Sequence, residues 1–194
     1  MLMEITAFIG SPRIEGNSEI LLKEAVRAVE ENNHKVKIFR PGVMNIVPCE
    51  NCDGCVKTGK CVIWDDMDII YNAIRTSDRF ILASPIFFFG LTAQIKTVID
   101  RCQSFWCEKY LLKKPIPESP HGRKGLLLMV GAMNKEIEFT CGEATAKAFF
   151  RTINVQKHET IFYPRIDAKG AIKNHPTALR DVYEAGKRLV TDKI

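Results

Sequence analysis

The sequence has no apolar run long enough to cross a membrane. Its longest candidate, Phe80–Leu91, falls well short of the roughly 20 residues that a membrane-spanning helix needs, and Pro85 interrupts it. Residues Met1–Glu4 also lack the basic segment and long apolar stretch of a secretion signal. Seven cysteines in a chain without such a signal are typical of a reducing compartment. We therefore expect a cytoplasmic protein that contacts no membrane.

Strong charge of one sign is absent as well. The net charge is only +5, and the lysines and arginines are scattered instead of forming a stripe. This pattern argues against a nucleic-acid partner, although it suits a small anionic cofactor. The 4 histidines are isolated and lack the spacing of metal ligands. We nominate no residue as a catalytic acid or base.

Strands alternate with helices along the chain, which predicts a parallel α/β sheet in one domain over residues 1–194. The predicted strands are Met3–Ile9, Lys35–Arg40, Arg79–Ala83, Gly125–Val130 and Thr160–Tyr163. The predicted helices are Ser18–Asn32, one that Asp65 caps, Thr92–Cys102, Cys141–Thr152 and one after Pro176. A long connection at 41–64 holds most of the cysteines, and long loops in compact domains are usually functional.

No standard phosphate-binding motif is present. Gly10–Ser18, the loop between the first strand and the first helix, is neither G-x-G-x-x-G nor G-x4-G-K-[ST]. A helix N-terminus after a buried strand nevertheless offers unsatisfied N–H groups and a positive dipole end, which attract anions. Because no acidic residue follows the second strand to hold a ribose, we expect a mononucleotide phosphate here. The alternative is a polar turn in which Asn17 or Ser18 caps the helix.

An aromatic loop, Ser84–Leu91, follows the third predicted strand at its carboxyl end. Ligands of open parallel sheets bind outside the carboxyl ends of the strands. The loop contains three consecutive phenylalanines, Phe87–Phe89, which cannot all face one core. At least one of them should be exposed or lie against a flat ligand. A subunit contact is the alternative, and one surface can serve both purposes.

Four cysteines, Cys49, Cys52, Cys55 and Cys61, fall within a short segment. Three thiols at three-residue spacing with a fourth nearby suit an iron–sulfur cluster. Structural zinc usually requires a second cysteine pair a dozen or more residues away, and the sequence lacks one. Redox-active thiols are the main alternative to a cluster.

Five stretches, in this order, resemble the iron–sulfur flavoproteins, which belong to the flavodoxin-like NAD(P)H-dependent FMN reductases. They are Gly10–Ser18, the four-cysteine segment, Asp65–Met67, Ser84–Phe87 and Lys96–Arg101. The resemblance implies an α/β, flavodoxin-like, doubly wound, five-stranded parallel sheet of order 2-1-3-4-5, with helices on both faces. It also implies a homodimer or a dimer of dimers.

The resemblance further implies which residues hold the cofactors. The FMN phosphate would be held by Ser11, Arg13, Asn17 and Ser18. The ribityl chain and the ring would be flanked by Pro85, Ile86, Phe87, Phe88 and Gly90. A third FMN loop would contain Gly131 and Ala132. A [4Fe–4S] cluster would be ligated by Cys49, Cys52, Cys55 and Cys61.

By resemblance, the expected function is that of an FMN-dependent electron-transfer oxidoreductase. It would pass electrons from a reduced donor, NAD(P)H or ferredoxin, to an acceptor through FMN and a [4Fe–4S] cluster. A redox protein other than ferredoxin is a further candidate partner. Two alternatives stay open: a cluster-free NAD(P)H-dependent FMN or quinone reductase, and a zinc-stabilised interaction module. A flavodoxin-like carrier is disfavoured, because flavodoxins are usually acidic and this chain is +5.

Overall fold

The computed structural model describes residues 2–191, which form six strands and six α-helices. The strands are β1 (Glu4–Ile9), β2 (Lys35–Phe39), β3 (Arg79–Phe87), β4 (Gly90–Leu91), β5 (Lys124–Val130) and β6 (Lys157–Tyr163). The helices are α1 (Asn17–Glu31), α2 (Met67–Thr76), α3 (Ala93–Arg101), α4 (Gln103–Trp106), α5 (Glu136–Thr152) and α6 (Ala178–Thr191). A π-helical turn at Cys107–Leu111 follows α4, and short 3-10 turns cover Pro41–Val43 and Ala171–Asn174. Over these described residues, no helix is both long enough and apolar enough to cross a membrane.

The five longer strands form a parallel sheet in the order β2-β1-β3-β5-β6. The two-residue β4 pairs antiparallel with the end of β3. The register places Ala7 of β1 between Ile38 of β2 and Ile81 of β3. When the short β4 is left out of the count, this order is 2-1-3-4-5, so the predicted doubly wound sheet is confirmed.

Side chains of the central strands alternate between two core layers. Ile81 and Ala83 of β3 pack in the layer that includes α1 and α6. Phe80 and Leu82 pack on the opposite face, with residues of α2, α3 and α5. A strand covered on both faces needs apolar residues at every position, which explains the continuous apolar runs in the sequence. With both faces covered by helices, the loops at the carboxyl edge of the sheet are left to form a ligand site.

Three elements depart from their predicted bounds by three or more residues, one of them β6, which begins at Lys157 instead of Thr160. β3 continues to Phe87 instead of ending at Ala83, because its last residues pair with β4 in a hairpin. α5 begins at Glu136, before the predicted start at Cys141. Acidic side chains lie in its first turn, where the positive end of the helix dipole favours them.

Helices α1 and α6 pack so closely that one position of α6 has room only for glycine. A Cβ atom at Gly186 would lie 2.5 Å from the carbonyl oxygen of Ala25 and 2.9 Å from its Cα atom. Both are backbone atoms of α1, so neither can turn aside as a flexible side chain would.

The substitution Gly186→Ala should therefore lower the free energy of unfolding by about 1–2 kcal/mol. Overpacking of a core typically costs about 1–3 kcal/mol, and this outweighs the better helix propensity of alanine, which is worth at most about 1 kcal/mol. Urea denaturation followed by circular dichroism measures the change. The control, Lys187→Ala at the exposed neighbouring position, should change stability by less than about 0.5 kcal/mol. A Gly186→Ala variant as stable as the wild type would refute the close helix contact.

Candidate functional site

A cavity of about 400 Å³ opens at the carboxyl edge of the sheet. Its walls come from the loops after β1, β3, β5 and β6, because parallel strands all end at this edge. It is lined by Ser11, Arg13, Gly16, Asn17, Ser18, Pro85, Ile86, Phe87, Phe88, Phe89, Val130, Gly131, Ala132, Met133, Ile166 and Asp167. The structure thus brings together every predicted cofactor-binding residue except Gly90. Gly90 lies in β4 opposite Phe87, outside the lining.

The N-terminus of α1 faces this cavity without a cap. Gly16 occupies the N-cap position and provides no side chain, and the first intrahelical bond runs from the Ile20 N–H to the Gly16 carbonyl at 3.0 Å. The N–H groups of the first turn, which precede that bond, therefore have no intrahelical acceptor. Ser18 is 1% exposed, and its hydroxyl has no hydrogen-bond partner. Unpaired donors at the positive end of a helix dipole constitute an anion site.

The loop before α1 is held in a tight turn by its own side chains. The Arg13 N–H donates to the Ser11 Oγ at 3.1 Å, and the Arg13 guanidinium donates to the Asp167 carbonyl at 3.4 Å. A Cβ atom at Gly16 would lie 3.1 Å from both the Ser11 Oγ and the Arg13 carbonyl. Glycine at this position lets the turn close against the helix start, while Arg13 stays at the surface where its charge can reach an anion.

The Asn17 side chain also stabilises a neighbouring loop, a role that the sequence did not predict. Its Nδ2 donates to the Ala168 carbonyl at 2.9 Å, and its Oδ1 accepts from the Ile172 N–H at 3.2 Å. The side chain thereby ties the loop after β6 to the start of α1. This loop contributes Ile166 and Asp167 to the cavity, and neither residue was predicted. The Asn17 side chain is engaged in these bonds, which leaves its backbone N–H to face a ligand.

A buried acid, Glu19, lies in the first turn of α1 but does not line the cavity. Glu19 is 3% exposed and forms ion pairs with Arg40 at 2.7 Å and with Lys23 at 3.1 Å. Burial would raise the pKa of this carboxyl, but hydrogen bonds from the two cations and from the Glu15 N–H outweigh burial. The pKa of Glu19 consequently lies below its usual value, and the two cations offset the negative charge near the anion site.

The aromatic wall of the cavity is the hairpin between β3 and β4. Phe88 and Phe89 form its two-residue turn, with φ angles of 48° and 63°. Turns with positive φ at both central residues normally use Asn-Gly or similar pairs, because a Cβ atom is strained in this region. Phe87, Phe88 and Phe89 are 51%, 104% and 40% exposed, so the expectation that they do not all enter the core is confirmed.

The loop after β5 is fixed by the loop after β6. The Gly131 N–H donates to the Tyr163 carbonyl at 3.1 Å, and the Gly131 carbonyl accepts from the Ile166 N–H at 2.9 Å. A Cβ atom at Gly131 would lie 2.3 Å from a carboxylate oxygen of Glu138, which is 2% exposed. Glycine at this position lets α5 start close beneath the cavity, and Ala132 extends the wall.

The four clustered cysteines line a separate small recess. Cys49 and Cys52 are exposed, whereas Cys55 and Cys61 are half-buried. Asn51 has a φ of 53°. Left-handed residues in loops turn backbone N–H groups inward and are used around anionic groups such as Fe–S clusters. In residues 2–191, no three His, Cys, Asp or Glu side chains converge on a point that would hold a single metal ion. The ligand role of the four thiols therefore stays a prediction.

A fifth thiol approaches this recess. The Sγ of Cys107, which is fully buried, lies 3.6 Å from the Sγ of Cys55 although the two residues are 52 positions apart. Burial and the neighbouring Cys107 raise the pKa of the Cys55 thiol to about 12. The Cys55 thiol is therefore protonated at neutral pH in this arrangement. The sequence did not predict this contact between Cys55 and Cys107.

The two ends of the cysteine loop, the segment 47–63 that contains the four clustered cysteines, are held together by a buried ion pair. Arg101 contacts both carboxylate oxygens of Asp65, at 2.6 Å and 3.2 Å, and the two side chains are 0% and 2% exposed. Arg101 also donates to the carbonyls of Val47 at 2.7 Å and Ile63 at 3.2 Å, which flank the cysteines. Asp65 accepts from the N–H groups of Val47 and Met67, both at 2.9 Å, but the N-cap position of α2 is occupied by Asp66 and not by Asp65 as predicted. Burial would raise the pKa of Asp65, but these hydrogen bonds outweigh burial and lower it.

Comparison with known proteins identifies the family. The chain belongs to the NADPH-dependent FMN reductase family, whose sequence profile matches residues 3–140. It is 37% identical over 99 residues to an iron-sulfur flavoprotein of Methanocaldococcus jannaschii, a match that covers 51% of each chain. It is 33% identical over 127 residues to an iron-sulfur flavoprotein of Archaeoglobus fulgidus, covering 66% of this chain and 61% of that one. The chain thus spans only about half to three fifths of the length of these relatives.

A solved structure supports the fold. The NAD(P)H:quinone oxidoreductase from Methanothermobacter marburgensis superposes with a TM-score of 0.75, covering 100% of this chain and 99% of that one. The sequence identity is 13%, so the likeness establishes the fold alone. Together with the family match, it confirms the predicted flavodoxin-like architecture and the predicted family.

The strained hairpin turn predicts a gain in stability on substitution. The variant Phe88→Asn should raise the free energy of unfolding by about 1 kcal/mol, because left-handed backbone costs a residue with a Cβ atom about 1–2 kcal/mol and asparagine tolerates this region better than phenylalanine. Little burial is lost, since Phe88 is 104% exposed. Urea denaturation measures the gain.

The matched control is Phe162→Asn. Phe162 is also a half-exposed phenylalanine, at 49%, but it lies in the regular strand β6 and stacks on Phe139. This variant should be less stable than the wild type. A loss of stability in the hairpin variant would contradict the assignment of strain to the turn.

Proposed function

We propose that this chain binds FMN in the carboxyl-edge cavity and works as an FMN-dependent oxidoreductase. In this proposal it passes electrons from NAD(P)H or ferredoxin to an acceptor. The observation that carries the proposal is the uncapped α1 N-terminus, with its unpartnered Ser18 hydroxyl, beside an exposed aromatic wall. A phosphate and a flat apolar ring are the two parts of FMN that such a pair of surfaces would accept.

The phosphate end of the cavity fits an anion in its donor chemistry. The Ser18 hydroxyl and the first-turn N–H groups of α1 are donors without acceptors, and Arg13 adds a positive charge. Leaving a buried donor unpaired costs about 1–3 kcal/mol. A phosphate would remove that penalty. Ser11 and Asn17 would act mainly by shaping the turn and the adjoining loop, because their side chains are already bonded to backbone.

The ring end of the cavity fits a flat aromatic group. Pro85, Ile86 and the phenylalanines of the hairpin give an apolar surface, and Gly131 and Ala132 allow close approach from the opposite loop. When bound, FMN supplies the capacity to take up two electrons from a hydride donor and to release them singly. The chain contributes binding, orientation and exclusion of water around the ring.

A [4Fe–4S] cluster on Cys49, Cys52, Cys55 and Cys61 is the second part of the proposal. All four thiols line one recess, and an all-thiolate ligand set is the one that such clusters use. A cubane is larger than a single ion, so its ligands need not converge on one point. When bound, a cluster would supply one-electron transfer.

A cluster-free FMN or quinone reductase is the second candidate, and one observation favours it. Cys55 hydrogen-bonds to Cys107, which lies outside the four clustered cysteines, and this contact suits a thiol pair better than a ligand set. The homodimer or dimer of dimers and the cytoplasmic location stay predictions. The exposed phenylalanines next to the cavity support a contact between copies.

The FMN assignment predicts a selective effect of Ser18→Ala. The variant should weaken FMN binding by about 10- to 100-fold, because a hydrogen bond to a charged group is worth about 1.5–3 kcal/mol. Binding of riboflavin, which has no phosphate, should be unchanged. Quenching of flavin fluorescence by the apoprotein measures both affinities.

The matched control for this experiment is Ser77→Ala. Ser77 is also 1% exposed but hydrogen-bonds to Thr6 at the opposite edge of the sheet. This variant should bind both flavins as the wild type does. Equal losses for FMN and riboflavin in Ser18→Ala, or no loss, would refute a phosphate at the α1 N-terminus.

The cluster assignment predicts that Cys52→Ser lowers the iron bound after anaerobic reconstitution from about four atoms per chain to much less. Cys141→Ser, which removes an exposed cysteine of α5, should retain the full amount. Counts of iron, zinc and FMN per chain measure the outcome. A wild-type protein with one FMN and negligible iron would instead establish the cluster-free reductase, and zinc alone would favour an interaction module.

A further inference from the structure

Arg101 lies at the end of α3 and is 1% exposed. Its two terminal nitrogens form four bonds: two to Asp65, one to the Val47 carbonyl and one to the Ile63 carbonyl. Those nitrogens carry four hydrogens, so all of their donors are used. The guanidinium has one further donor, the Nε–H.

The Nε of Arg101 is buried and has no hydrogen-bond partner. Arg101 also lines the recess of the four clustered cysteines. A buried donor without an acceptor is unfavourable, and more so when the group is charged. The recess is lined by the four cysteines together with polar side chains such as Gln103 and Ser104, and a group bound by the cysteines would bring sulfur acceptors next to the guanidinium.

We propose that the Nε–H of Arg101 donates a hydrogen bond to a sulfur of the group held by the four cysteines. The inference rests on the proposed function, in which that group is an iron–sulfur cluster. Hydrogen bonds to the sulfurs of such a cluster stabilise its more negative, reduced form and raise its reduction potential. Arg101 would thus hold the ends of the loop through its terminal nitrogens and tune the cluster through the fifth donor.

The carboxylate of Asp65 largely neutralises the charge of Arg101, because the two groups form a bidentate pair. The effect on the cluster should therefore come from the directed N–H donor more than from net positive charge. Lysine is the informative replacement: it keeps a cation near Asp65 but has no donor at the position of the Nε.

Arg123 provides a closely matched control elsewhere in the fold. It is 3% exposed, its terminal nitrogens donate to the carbonyls of Ile74, Arg75 and Ile153, and its Nε is also buried and unpartnered. It lines a different cavity, which has no cysteine in its walls. Arg123→Lys should disturb the fold about as much as Arg101→Lys without touching the cysteine recess.

The test compares wild type, Arg101→Lys and Arg123→Lys after anaerobic reconstitution with iron and sulfide. Iron content and thermal unfolding are measured first, and the reduction potential of the cluster is then measured by dye-mediated titration. At a fixed potential, the ratio of reduced to oxidised cluster should fall about tenfold in Arg101→Lys, which for one electron is about 59 mV. Arg123→Lys should keep the wild-type potential.

A second measurement uses the unmodified chain, because Arg101→Lys could lose its cluster when the loop opens. Wild-type protein labelled with ¹⁵N-arginine should give a nitrogen coupling to the reduced cluster in pulsed electron paramagnetic resonance. Absence of that coupling, or a fully loaded Arg101→Lys variant with the wild-type potential, would overturn the inference while leaving the proposed function intact. A wild type that binds FMN but no iron would overturn the inference together with the cluster assignment, and the flavin assignment would stand.

Discussion

The parallel direction of β1, β3, β5 and β6 is the constraint on which the rest of the structure depends. Parallel neighbours cannot be joined by short hairpins, so each connection crosses the sheet as a helix and covers one of its faces. The carboxyl ends of all these strands then meet at one edge, and the N-terminus of α1 meets the same edge. Three kinds of feature come together at this edge: an uncapped helix start, an aromatic hairpin and two backbone-paired loops. They do so because each of them follows the carboxyl end of a parallel strand.

The cysteine loop depends on a different kind of constraint. Between Val47 and Ile63 it has almost no regular structure and contributes no residue to the two core layers, so hydrophobic packing contributes little to its position. Arg101 and Asp65 hold its two ends instead, through bonds to backbone groups on both sides of the cysteines. Losing one partner of such a buried pair is strongly destabilising, since the other charge is left uncompensated. The placement of four thiols in one recess thus depends on two charged side chains that contain no sulfur.

Local sequence signals were sufficient for the sheet and for most of the cavity. The apolar strand runs, the turn before α1 and the phenylalanine triplet are short-range features, and each sits where it was predicted. The remaining features depend on pairing across long separations, which no local pattern specifies. Asn17 bonds to Ala168 at a separation of 151 positions, Cys55 meets Cys107 at 52, and Arg101 meets Asp65 at 36. The extension of β3 beyond Ala83 was not predicted, because a proline such as Pro85 usually ends a strand. In the structure, the strand continues past Pro85 and pairs with β4 in the hairpin.

Three unfavourable features coincide at the carboxyl-edge cavity, and their coincidence is itself an argument. A buried hydroxyl without a partner and a left-handed turn of two phenylalanines each destabilise the free protein, and a fully exposed aromatic ring adds no burial to its stability. Each of the first two features lowers the free energy of unfolding by about 1–3 kcal/mol. The total free energy of unfolding of a domain is typically only about 5–15 kcal/mol. A ligand that binds the folded state adds stability in proportion to the logarithm of its concentration over its Kd. A ligand with a phosphate and an aromatic ring would accept a hydrogen bond from the hydroxyl and cover the exposed phenylalanine ring. It would also pack against the side chains that the strained turn presents to the cavity. A ligand with only a phosphate, or with only an aromatic ring, would not interact with all three of these features.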